Sequence, residues 1–164
     1  MENRFSSWVK WQERYHLDGI EFPGVYAIAL SDTNIASTAF SWIPEIIYVG
    51  MTNAKGGLTS RLQQFENTIK GKDGHGGAHR VRYKHPNYEH LASQLYVSIK
   101  YYKCNVESNK PIDLHIMGEV AKEKYECFAL FVGKFNQLPE FNDKKRSPKK
   151  QGNQNKKVLM TDSV

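Results

Sequence analysis

Apolar residues in this chain gather in three short runs, with helically spaced apolar positions between and around them. Gly24-Val25-Tyr26-Ala27-Ile28-Ala29-Leu30 is apolar almost throughout, which predicts a strand covered on both faces. Glu45-Ile46-Ile47-Tyr48-Val49-Gly50 predicts a second strand, and Gln94 to Lys103, alternating with Tyr and Val, a third. Trp8, Trp11 and Tyr15 recur at i, i+3 and i+7, predicting a helix from about Phe5 to His16 with one buried aromatic face. A second helix is expected from Leu58 or Thr59 to Lys70. The last runs from Ile112 to Phe135, with Ala121, Tyr125, Phe128, Val132 and Phe135 as its apolar stripe, and ends at Gln137-Leu138-Pro139-Glu140. Residues 31–44, rich in Ser, Thr and Asp and closed by Pro44, read as a loop or insertion. Gly71 to Ala78 holds four glycines in eight residues, a density that opposes regular structure. The order helix, two strands, helix, strand, helix predicts an α/β or α+β domain around a small sheet.

Size and charge narrow the classes. The 164 residues, 40% hydrophobic, are enough for one domain with a real core. No apolar run approaches the roughly 20 residues that span a bilayer, and Met1-Glu2-Asn3-Arg4 does not open an apolar secretion signal. Cys104 and Cys127 are too few for a disulfide scaffold, so the expectation is an intracellular, cytoplasmic protein with no membrane partner. The net charge of +6 is concentrated at one end: residues 143–164 carry seven Lys/Arg against Asp143 and Asp162. The other 142 residues are close to neutral. Such a tail, including Lys144, Lys145 and Arg146, collects an anionic polymer through counterion release, or else serves only as a solvated end.

Several chemistries find no support. His75 and His79 are four apart, but Gly76 and Gly77 between them argue against a zinc-binding helix. The stretch Gly50 to Gly57 lacks both GxxxxGK[ST] and GxGxxG, so no nucleotide cofactor is expected, and GxSxG is absent. One constellation remains. Gly24-Val25-Tyr26 and Tyr48-Val49-Gly50 are strand-like and tyrosine-bearing, so neighbouring strands would bring two phenols to one site. Arg61 follows Tyr48 by thirteen residues on the next helix, ahead of Leu62 and Phe65. Glu126 lies on the last helix, before Pro139 and Asn142.

This arrangement resembles the GIY-YIG nuclease family. The matching residues are Gly24-Val25-Tyr26, Tyr48-Val49-Gly50, Arg61-Leu62, and Glu126 with Pro139 and Asn142, over roughly residues 22–142. The resemblance implies a small, mainly antiparallel central sheet flanked by helices. It divides the chain into an N-terminal helical extension (1–20), a nuclease domain (21–142) and a basic tail (143–164). It further implies an endonuclease that hydrolyses DNA phosphodiester bonds with Mg²⁺, for which Mn²⁺ can substitute. Such chemistry needs an activated water, neutralised charge on the phosphoryl group and help for the leaving oxygen. By the resemblance Tyr26 takes a proton from water, Tyr48 orients the water or phosphate, Arg61 grips phosphate and Glu126 holds the metal.

The residues themselves leave alternatives open. Glu119, Glu123 and Glu126 share one helical face, so any of them could be the metal ligand. Some restriction-type members have a histidine after the arginine helix; here Phe65 stands one turn on, so His75 or His79 would fill that role. Lys55, His79, Arg80, Arg82 and Lys84 are candidates for gripping a nucleic-acid backbone. Asn142 joins them, or only fixes the chain's exit by side-chain to backbone hydrogen bonds. Tyr26 and Tyr48 are 22 residues apart, which marks residues 31–44 as an insertion. Met51 stands where repair-type members have a lysine, with Lys55 as a possible compensation. No homing-type linker or helix-hairpin-helix module is recognisable. These departures favour a compact restriction-type enzyme over a structure-specific repair or recombination nuclease. An inactive nucleic-acid-binding module and a protein-interaction domain docking through its N-terminal helix are the other classes. Cutting both strands would take a homodimer or two encounters.

Overall fold

The three apolar runs form the centre of one antiparallel sheet. A computed structural model of the chain describes residues 3–143. Strand β2 (Gly24–Leu30) pairs with β3 (Ile46–Thr52) on one side and β4 (Leu95–Tyr101) on the other. A two-residue strand, β1 (Val9–Lys10), extends the sheet beyond β4, giving the order β1-β4-β2-β3. β2 is therefore central and buried on both faces, which is why its sequence is nearly continuous in apolar residues. Opposite Ile28 and Ala29 the β2–β3 register shifts, leaving Ile47 as the extra residue of a bulge.

Each face of the sheet carries its own core. Tyr26, Ile28, Leu95, Val97 and Ile99 pack under α1 (Gly57–Ile69), α2 (Gly76–Lys84) and α3 (Tyr88–Gln94). Ala27, Ala29, Val49 and Tyr96 pack under the long helix α4 (Pro111–Phe135) and the aromatic residues Phe40 and Trp42 of the 31–44 segment. The mixed α and β architecture expected from the sequence is the one observed. Among the described residues no helix is long and apolar enough to cross a membrane.

Three local expectations are corrected. Residues 5–16 do not form a helix with one aromatic face: β1 leads into a 3-10 helix, Trp11–His16. Trp8 and Trp11 are both fully buried but in the cores on opposite faces of the sheet, and Tyr15 is exposed. The i, i+3 spacing thus arises from a strand-to-turn transition in which two large rings go to two different cores. The segment is part of the domain, tied in by the Trp11 indole N–H donating to buried Glu66 at 2.5 Å. Second, the glycine-rich stretch is irregular only to Gly74. Gly71 and Gly74 take positive φ, but Gly76 and Gly77 already lie in α2, capped by His75. Third, α4 buries Val120, Cys127, Phe128 and Phe131, whereas Tyr125 and Val132 of the expected stripe are exposed. The basic residues Lys144, Lys145 and Arg146 lie outside the described residues.

Candidate active site

Tyr26 and Tyr48 come from adjacent strands, and because Tyr26 stands opposite Gly50 and Ile28 opposite Tyr48, the regular two-residue alternation puts both tyrosines on one face. Their rings lie 6.0 Å apart between centroids. Room for them is made by glycine. A Cβ on Gly50 would sit 2.3 Å from the Tyr26 hydroxyl, and one on Gly77 would sit 2.2 Å from the Tyr48 ring. The glycine of Tyr48-Val49-Gly50 is thus a steric requirement of the first tyrosine, across the strand pair. Gly50→Ala is expected to displace the Tyr26 phenol, cost about 1–3 kcal/mol of stability by overpacking and abolish function at the site. Urea denaturation checks the stability, and a variant as stable as the parent would show that the ring yields freely.

His75 completes a buried set with the two phenols. Its ring packs edge-on to Tyr48 and Phe65, and its Nε2 lies 2.8 Å from the Tyr26 hydroxyl. The backbone fixes the tautomer. As N-cap of α2, the imidazole accepts from the Ala78 N–H through Nδ1 at 3.2 Å, so Nδ1 carries no proton. Burial first, then Arg61, Arg80 and Lys124, push the His75 pKa down to about 3, so the ring is neutral and its proton is on Nε2. His75 therefore donates to Tyr26. The phenol's own hydrogen is left free to point elsewhere.

Both phenols hold their protons at neutral pH. Burial raises Tyr26 well above its ordinary value, reinforced by Tyr48, and Arg61 opposes the rise. Burial also raises Tyr48, against Arg61 and Arg80. Arg61 projects from the first turns of α1, whose buried side is Leu58, Leu62 and Phe65. Its Nη1 donates to Gln64 at 2.9 Å, while its Nε is buried with no hydrogen-bond partner. A cleft of about 350 Å³, lined by Met51 to Ala54, Ser60, Arg61 and Gln64, opens beside it at the edge strand β3.

The other expected residues are distributed differently. Of the two histidines, His79 is half-exposed beside Asp73 and Arg82, away from the phenols. Asn142 spends its amide on the edge of β3, accepting from the Val49 N–H and donating to the Val49 carbonyl, both at 2.8 Å. With the Phe141 N–H donating to Ile47, it closes that edge as a neighbouring strand would. Arg80 grips the Phe141 carbonyl through Nε and Nη2, Lys84 pairs with Glu140, and Arg82 reaches the Thr68 carbonyl. This basic run thus ties α2 to α1 and to the chain's exit, with Arg80 also adding positive field at the phenols. Lys55 is exposed and paired with Glu107.

Among the described residues no hydrogen bond joins a glutamate of α4 to either phenol, to His75 or to Arg61. At 100° per residue Glu126 lies roughly opposite Phe128 on the helix, and it is exposed, as is Glu119. Glu123 is half-buried but bonded to Lys100 at 2.9 Å. The α4 side chain whose charge acts on Arg61's surroundings is Lys124. It was legible as a polar residue at i+4 from Val120 and i−4 from Phe128, inside the buried stripe. Among the described residues no three His, Cys, Asp or Glu side chains cluster to hold a metal ion. The donor set around the phenols, with Arg61, Arg80 and Lys124, is cationic and does not fit Mg²⁺, which takes carboxylate oxygens.

Comparison of the chain with protein-family models, curated proteins and solved structures finds no match to any of the three.

Proposed function

We propose that this chain is an endonuclease that hydrolyses DNA phosphodiester bonds, of the GIY-YIG type and closest to the restriction branch. The observation that carries the reading is the buried Tyr26–His75 hydrogen bond, assembled with Tyr48 and Arg61 from four separate segments. An ordinary pair of core tyrosines would need neither a neutral histidine donor nor an arginine with an unpartnered Nε beside it.

The chemistry follows from these groups. Arg61, a permanent cation with a planar fork, binds non-bridging phosphate oxygens and offsets the charge that develops on phosphorus. Water attacks the phosphorus, the phosphate ester P–O bond breaks, and the water's proton has to be taken up within the site. Tyr26 is the acceptor the geometry offers once its own hydrogen has passed to solvent, and the departing oxygen takes its proton from water. The Nε2–H of His75 and the charge of Arg61 both stabilise the phenolate so formed, against the cost of burial. His75 is a positioning residue in this scheme, because its basic nitrogen faces the Ala78 amide.

The inward-facing cation of α4 favours a second reading, a nucleic-acid-binding module of the same fold that does not hydrolyse. Incubation with supercoiled plasmid and a divalent cation separates the two. The first reading expects nicked, linear or discrete products that disappear in Tyr26→Phe. Binding without cleavage of plasmid, branched DNA or RNA would establish the second.

A further inference from the structure

We infer that α4 pairs with α4 of a second copy of this chain, antiparallel across a two-fold axis beside Ala121. The inference does not depend on the proposed chemistry and is tested without nucleic acid.

Helix α4 carries two apolar faces, and the chain itself uses one of them. Val120, Cys127, Phe128 and Phe131 pack on the sheet, whereas Leu114, Gly118, Ala121, Tyr125, Ala129 and Val132 are all exposed. At 100° per residue these six fall within about 80° of the helix surface, an arc that holds no charged residue. They follow one another by three or four residues, the spacing of a helix–helix seam, and at 1.5 Å per residue the stripe is about 27 Å long. Single exposed apolar side chains are ordinary, but a continuous stripe marks an interaction surface. Tyr125, 64% exposed, joins it to the core by packing edge-on against Phe128, with 6.0 Å between ring centroids.

Gly118 marks where the second helix crosses. Glycine inside a helix is unfavourable relative to alanine, and no contact within the chain calls for it: an added Cβ would meet nothing within 4 Å. Crossing at Gly118 and Ala121 brings the two helices close, with each Tyr125 over the Gly118 of the other copy.

The charges select the occupant. His115, Glu119, Lys122 and Glu126 are exposed along one flank of the stripe, and among the described residues none of them makes an ion pair. The other flank is taken by the body of the domain through Phe128. An antiparallel pair sets the charged flank of one helix against the same flank of its partner. With the axis beside Ala121, Glu119 meets Lys122 and His115 meets Glu126, each pair occurring twice. A flank complementary to its own reverse fits a two-fold copy. A parallel pair would turn these charges toward the partner's apolar side and leave them unpaired.

The test is sedimentation equilibrium of the full chain over a wide range of protein concentration. The mass is expected to rise reversibly from 18.9 kDa to twice that value. Tyr125→Glu is expected to weaken association by about a hundredfold without lowering the melting temperature of the monomer. Glu119→Lys and Lys122→Glu, which set like charges opposite, are each expected to weaken it by about tenfold, and the double variant to restore it. A parent that stays monomeric throughout overturns the inference, and carboxyl–amine crosslinks from Glu119 or Glu126 to the lysines of residues 143–164 in that monomer would assign the face to the chain's own end. A dimer indifferent to Tyr125→Glu, or single charge variants that the double variant does not rescue, overturns it as well.

Discussion

Arg61→Ala is expected to lower DNA cleavage by about 10²–10³-fold while leaving the protein folded and at least as stable. The loss follows from removing a pre-placed cation where phosphoryl charge develops, in a site partly screened from water. The stability follows from what the side chain does in the folded chain. Its Nη1 donates to Gln64, one turn along the same helix, and α1 is anchored by Leu58, Leu62 and Phe65 instead. Alanine is the best helix former, and its introduction also removes a charge that repels Lys124. Arg61→Lys is expected to restore little activity, because a point charge on a flexible stem does not reproduce the bidentate fork. Rates and melting temperatures measured together check the claim. An Arg61→Ala protein that cuts at the parental rate would remove Arg61 from the site.

Acidification is expected to destabilise the fold through His75. In the folded chain this imidazole remains neutral until about pH 3, since burial, Arg61, Arg80 and Lys124 all oppose its protonation. Unfolded, it protonates near its ordinary value of about 6.5. Between these values the unfolded state binds one more proton than the native state, so stability is unaffected above the upper value and falls as pH drops below it. At a slope of about 1.36 kcal/mol per pH unit, the loss from this residue reaches about 2–3 kcal/mol by about pH 4.5. His75→Asn keeps an acceptor for the Ala78 amide but has nothing to protonate, and should flatten this limb. The remaining histidines contribute equally to both proteins and cancel. Denaturant midpoints at neutral and acid pH, compared between the two, measure the effect. Parallel acid losses in both would show that His75 is not the group responsible.

What the sequence disclosed tracks the range of the interactions involved. Strands β2, β3 and β4 and the helices α1 and α4 were legible because each is long and strongly patterned. The N-terminal segment was not, because Trp8 and Trp11 mimic a helical face while serving two cores that exist only once the sheet has formed. Helix α2 was hidden by Gly76 and Gly77. One of these glycines is there for contact with Tyr48, so a packing requirement looked like a helix breaker. In the site, Tyr26, Tyr48 and Arg61 were placed together by motif order, and His75 was left open against His79. Its choice depended on the Ala78 cap and the reach across to Tyr26, neither of which spacing encodes. The face of α4 was misjudged by the same kind of ambiguity. Two apolar stripes overlap on that helix, and the one that packs brings Lys124, not Glu126, to the inner side.

The central claim is that the Tyr26 hydroxyl sits at the reacting centre of a phosphodiester hydrolase, and Tyr26→Phe tests it by removing one oxygen atom. The measurement is single-turnover cleavage of end-labelled DNA by the parent and by Tyr26→Phe, with near-ultraviolet circular dichroism confirming the same packing in both. The account predicts defined products from the parent and none from the variant over the same interval. Equal cleavage by the two proteins would contradict it.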